Sequence, residues 1–177
     1  MEVIIKDEAL RIVGEELNAL RERIIANHRN AGQVASGRTI ASLKVESTGE
    51  GGILWGRQAF GVLESGRGPG KVPKGFYQII QQWIKDKGIQ IRPVPYKRKT
   101  SSKWTPKYTP EERGMMALSG AIAYKIAREG TALHRGGGKE DIYSSGIKRT
   151  VNDIMNRVFG IFDTEVEHIN LNLNENT

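Results

Sequence analysis

Three glycine-rich breaks decide what this chain can fold into: Gly49-Glu50-Gly51-Gly52, Ser65-Gly66-Arg67-Gly68-Pro69-Gly70-Lys71 and Arg135-Gly136-Gly137-Gly138-Lys139. Glycine reaches backbone angles that other residues avoid, so such clusters end regular elements and form turns or loops. The segments between them differ in period. Ala41, Leu43, Val45 and Ser47 alternate with Ser42, Lys44 and Glu46, which is the spacing of a half-buried strand. Ile53-Leu54-Trp55 returns after the first glycine cluster, so a β-hairpin is expected there. The longer segments carry a helical period instead. The expected class is α+β: a small antiparallel sheet packed with three to four helices, with long basic and Gly-rich loops.

Leu10, Val13, Leu17, Leu20 and Ile24 recur at steps of three and four, which predicts a helix over 8–26 with Asp7 as its N-cap. Its apolar stripe can bury against the domain or against a neighbouring subunit, and core packing is the plainer reading. Ala59–Glu64 reads as a short helix or an extended connector. Pro73 leads into Phe76, Ile79, Ile80, Trp83 and Ile84, an amphipathic helix stopped by Gly88, after which Ile89–Ile91 forms a short strand. Thr109-Pro110-Glu111-Glu112 is a helix start with Thr as cap, Pro at the first position and Glu three residues after the cap. The helix it opens runs through Met115, Leu118, Ile122 and Ile126 to about Glu129. A final helix places Ile147, Val151, Ile154, Val158 and Ile161 on one face. Beyond it, 165–173 fits an edge strand or a frayed helix extension equally well.

At 177 residues the chain fits a single domain, with a basic arm over 92–110 and an acidic tail over 161–177. It has no cysteine, which excludes disulfides, thiolate metal sites and cysteine nucleophiles. Its N-terminus lacks the basic start and apolar run of a signal peptide, and its longest weakly polar run, 114–124, is too short to cross a bilayer. No membrane is therefore expected among its partners. Charge is uneven. The tail holds Asp163, Glu165, Glu167 and Glu175 with no Lys or Arg, and removing those four negative charges from the chain's +7 leaves +11 on residues 1–160. A basic body of that kind meets nucleic acid or an acidic protein surface.

Catalytic constellations are not apparent. Gly70-Lys71 lacks the phosphate-loop glycine and hydroxyl, because Ser65 and Val72 stand in those places. Gly138-Lys139 fails the same test at Leu133 and Glu140. His28, His134 and His168 have no ligand-spaced companions, and the paired acids Glu15-Glu16 and Glu111-Glu112 fit helix electrostatics. The reading is a non-enzymatic protein without metal or other cofactor. The arm is more distinctive: between Tyr96 and Tyr108 it carries Lys97, Arg98, Lys99, Lys103 and Lys107, no acid, and Trp104 between the two tyrosines. Cations neutralise phosphates and aromatics stack on bases, so the composition suits nucleic acid. It suits an arm lying on an acidic neighbour equally.

The order of an N-terminal helix, Ser36-Gly37-Arg38-Thr39-Ile40-Ala41-Ser42-Leu43-Lys44-Val45, a turn and Ala59-Phe60-Gly61-Val62-Leu63-Glu64-Ser65-Gly66 resembles the tail-completion and minor-tail proteins of long-tailed bacteriophages, a group that includes neck and tail-terminator subunits. Ala123-Tyr124-Lys125-Ile126-Ala127-Arg128-Glu129-Gly130-Thr131 resembles a phrase that recurs in such proteins. The likeness spans residues 31–88 and, more loosely, 115–131; the arm over 92–110 and the acidic tail stand outside it. The resemblance implies a virion structural protein of the neck or tail, made in the host bacterial cytoplasm. It further implies closed rings of roughly six or twelve copies, set against other neck, tail or portal proteins around a DNA channel. Contact with DNA would be transient and nonspecific. Two rival readings are a sequence-nonspecific DNA-binding or packaging accessory and, behind it, a virion-associated hydrolase.

Leu63-Glu64-Ser65-Gly66 and Arg128-Glu129-Gly130 echo one another. Aligned without gaps, Ala59, Phe60, Val62 and Gly66 match Ala123, Tyr124, Ile126 and Gly130, while the glutamates fall out of register. Each phrase closes an apolar segment with glycine and opens a basic loop. Residues assigned to subunit contacts or the DNA channel are Arg38, Glu64, Arg67, Lys71 and Lys74 near the first loop. Lys97, Arg98, Lys99, Lys103, Trp104 and Lys107 follow in the arm, and Glu129, His134, Arg135 and Lys139 surround the second loop. The two glutamates are expected to form ion pairs at that interface.

Overall fold

A computed structural model describes residues 2–96, 106–139 and 141–175. Helix α1 spans Glu2–Asn30, longer at both ends than the apolar stripe predicts. Asp7 is inside it rather than capping it, because no glycine or proline interrupts the residues before it. Ile12, Leu20, Ile24, Ile25 and His28 are all buried, more of the circumference than one stripe covers. The reason is that α1 packs on two sides, against a hairpin and against the last helix.

That hairpin pairs β1 (Lys44–Thr48) with β2 (Gly51–Trp55), in the antiparallel register Lys44↔Trp55 to Thr48↔Gly51. Residues 41–43, expected in the first strand, lie outside it. Arg38–Ala41 is instead a helical turn, α2, and buried Leu43 joins the core before the strand begins. Gly52 lets the hairpin approach α1: a Cβ there would sit 2.6 Å from Leu17 Cδ1 and 3.2 Å from Val13 Cγ1. A 3-10 turn, Gln58–Val62, carries the chain to Glu64. The last helix, α6, spans Ser144–Glu175, so the acidic tail continues that helix through its described residues and is not an edge strand.

Where length predicts one domain, the chain divides into two compact units, 1–64 with 139–177 and, inserted between them, 65–138. The first unit has its own core of Leu20, Ile24, Ile25, Leu43 and Ile142, ringed by Leu17, Ile40, Leu54, Phe60, Leu63 and Tyr143. The second is built from α3 (Phe76–Asp86), α4 (Pro110–Glu129) and the short α5 (Ala132–Arg135). Ile80 and Ile84 are its buried apolar anchors on α3, which packs along α4. The start of α4 forms as its sequence dictates: Glu112 N–H donates to Thr109 Oγ1 at 3.2 Å, and Thr109 N–H donates to Glu112 Oε2 at 2.8 Å. Residues 89–91 form no strand, since no partner edge lies beside them; Ile91 packs at Gly114 of α4 instead. The loop expected over 131–140 contains the helical turn α5, capped by the Thr131 hydroxyl. These elements justify α+β, with one two-stranded sheet among the described residues.

Candidate functional site

Glu64 does not carry the interface ion pair expected of it. Its residue is 6% exposed, and Oε1 accepts from the backbone N–H groups of Ile142, Tyr143 and Ser144 at 3.0, 2.6 and 2.8 Å. The Ser144 hydroxyl donates to Oε2. The first N–H groups of a helix lack intrahelical partners and carry partial positive charge, so one carboxylate here holds both the turn that leads into α6 and its first residue, Ser144, from almost eighty positions away. Burial by itself raises the Glu64 pKa, but the Ser144 hydroxyl and the three N–H groups outweigh it and hold the carboxyl below its ordinary range. The main chain closes the same corner, where Lys139 N–H donates to Glu64 O at 2.9 Å. Glu64 is a keystone of the first unit.

The two echoing phrases meet through their glycines inside the second unit. Arg67 N–H donates to Thr131 Oγ1 at 3.0 Å, Thr131 N–H donates to Arg67 O at 2.8 Å, and Gly70 N–H donates to Ala127 O at 2.8 Å. Gly66 and Gly130 both have positive φ, +70° and +78°. A Cβ on Gly66 would lie 2.5 Å from His134 N, and one on Gly130 would lie 2.7 Å from Arg67 O. The echo is thus a paired junction between two loops, whatever its ancestry.

The other assigned residues fall in different surroundings. Arg38 is exposed at the start of α2 and donates to Ser36 Oγ. Arg67 is half-buried, donates to Lys71 O at 2.8 Å and places its guanidinium 5.5 Å from the Phe76 ring centre. Lys71, Lys74 and Lys139 are exposed. Lys107 is exposed beside the Tyr108 ring. Glu129 pairs with its neighbour Arg128, which lowers its pKa, so its ion pair is internal. His134 fills the junction against Gly66 and Gly130, while Arg135 donates to Gly130 O at 2.7 Å. Lys97, Arg98, Lys99, Lys103 and Trp104 lie outside the described residues.

Two apolar surfaces were not assigned from sequence. On α6, Ile147, Val151, Met155, Phe159, Phe162 and Val166 are 44% to 64% exposed. Their steps of four, four, four, three and four form one stripe along five turns, roughly 29 Å at 1.5 Å per residue. The side of α6 toward α1 is a different one: Gly146 approaches Leu20, Thr150 receives Arg23, and Arg157 pairs with Glu15 and Glu16 at 2.7 and 2.8 Å. Of the residues expected on one face, Ile147 and Val151 therefore lie on the exposed stripe. In the second unit, α3, α4 and α5 enclose a groove of about 520 Å³ walled by Phe76, Ile80, Trp83, Ile122 and Ile126, with exposed Lys125 and Arg135 on its lining. The signal for the stripe was present in the sequence: apolar residues occupy more of the α6 circumference than one helix neighbour can cover.

Among the described residues no group of three or more His, Asp or Glu is arranged to hold a metal ion, and no helix is long and apolar enough to cross a membrane. No protein-family model, curated protein or solved structure matches the chain.

Proposed function

We propose that this chain is a non-enzymatic structural subunit of a tailed-bacteriophage particle, part of the neck or tail, whose copies close into a ring around the DNA channel. The observation that carries the reading is the α6 stripe. Folded monomers rarely leave so long a row of large apolar side chains in water, and such rows mark protein interfaces. The resemblance of 36–66 to tail-completion proteins supplies the class of assembly. Those residues build α2, the hairpin, the 3-10 turn and the Glu64 cap, so the phrases that carry the likeness also organise the first unit. A ring of identical subunits needs a head-to-tail interface that closes by rotation, with different surfaces on its two sides. The stripe and the groove are two such different surfaces.

Exposed Lys71, Lys74, Arg135 and Lys139 give this subunit cations for phosphate contacts that read no base and let DNA slide. The same cations support a second reading, a nonspecific DNA-binding or packaging accessory. Particle composition separates the two. Quantitative mass spectrometry of purified particles is expected to find the protein at a fixed, low copy number per particle. Its absence from purified particles overturns the structural reading and favours the accessory one.

A further inference from the structure

We infer that the acidic end of the α6 stripe of one copy seats in the α3–α4–α5 groove of the next copy. The inference rests on the ring reading above and names the contact that would close it. Shape is the first argument. Phe159 and Phe162 project from a convex helix, and Phe76, Ile80, Trp83 and Ile126 wall a concave groove large enough for aromatic side chains. Burying both surfaces at once removes apolar area from water on each partner.

Charge chooses the orientation and the groove. At 100° per residue, Asp163 and Glu167 flank Phe159 and Val166 on one side, and both are exposed. Lys125 and Arg135 line the groove and are also exposed. Opposite charges thus face each other across an apolar centre, which fixes register and speeds encounter. The neighbouring groove of the same unit, lined by Tyr77, Ile91 and Tyr108, sets Glu111 and Glu112 against a single Lys85 and repels the same helix. Because ridge and groove are different surfaces, the contact is head-to-tail, which a ring requires and a two-fold dimer does not.

The test uses the full chain and measures assembly by native mass spectrometry and sedimentation. One variant, Phe159→Asp with Phe162→Asp, alters the ridge; another, Lys125→Glu, alters the groove and leaves the Arg135 bond to Gly130 O in place. Phe159, Phe162 and Lys125 are exposed, so far-UV circular dichroism and melting should match the unmodified protein. Each variant alone is expected to associate more weakly by about tenfold or more. Mixed together they should form one-to-one pairs that grow no further, since each supplies the surface the other lacks. Adding Asp163→Lys and Glu167→Lys to the groove variant should restore assembly. Closed rings that survive both variants overturn this contact and leave ring assembly standing; a two-fold α6–α6 pair that depends on the ridge and ignores the groove overturns the contact and the ring together. A protein that stays monomeric at every concentration overturns the ring reading itself.

Discussion

Replacing Glu64 with alanine should destabilise the first unit by roughly 3–5 kcal/mol, a large share of a small domain's stability. Three backbone donors and the Ser144 hydroxyl converge on this buried carboxylate, and alanine leaves them without an acceptor at the start of α6. Water reaches the corner poorly, so the penalty is mostly desolvation. Glu64→Gln retains an acceptor oxygen but removes the charge and presents an amide donor to other donors; about half that loss is expected. Chemical denaturation gives the size, and hydrogen exchange at 142–146 gives the place. The pH dependence has a definite sign. The folded pKa is lowered, so the contribution is complete above the ordinary carboxylate range and is lost as pH falls through the lowered value. Glu64→Gln should flatten that acid limb.

Gly130→Ala should be nearly as damaging to the second unit, at roughly 3–5 kcal/mol from strain and overpacking together. Gly130 has φ 78° and ψ −179°, a region essentially reserved for glycine. Its added Cβ would meet Arg67 O at 2.7 Å and His134 Cδ2 at 2.9 Å, so neither the backbone nor the loop opposite can accommodate it cheaply. Exchange should rise where the two loops bond, at Gly70 and Thr131. Gly120→Ala provides the contrast. It lies within α4, whose C-cap is Gly130, an added Cβ there would meet nothing within 4 Å, and it should gain up to about 1 kcal/mol from helix propensity.

What the sequence revealed divides by range. The Thr109 capping box and the hairpin turn depend on residues within a few positions of one another, and both were legible. The Glu64 cap was not, because its donors lie at 142–144 and no local pattern links them. Read as an interface charge, Glu64 is instead buried and bonded inside the first unit: a conspicuous acid between apolar residues and a glycine reads as a surface charge until the fold shows whom it faces. The α6 stripe failed for another reason. Periodicity marks an apolar face but not what covers it, and Ile147 and Val151 share the pattern of a core helix while remaining exposed. Division into two units was hidden for the same cause, since two small cores yield the same composition as one. The echo at Gly66 and Gly130 was visible, yet that its halves bond to one another emerges only in three dimensions.

We propose that this chain assembles with itself into a closed ring through the α6 stripe. Native mass spectrometry of the purified full chain, with electron microscopy of the same sample, tests it most directly. A single closed oligomer of roughly six or twelve copies with an open centre is the expected result. A monomer across the accessible concentration range, or open filaments without a closed species, would contradict it.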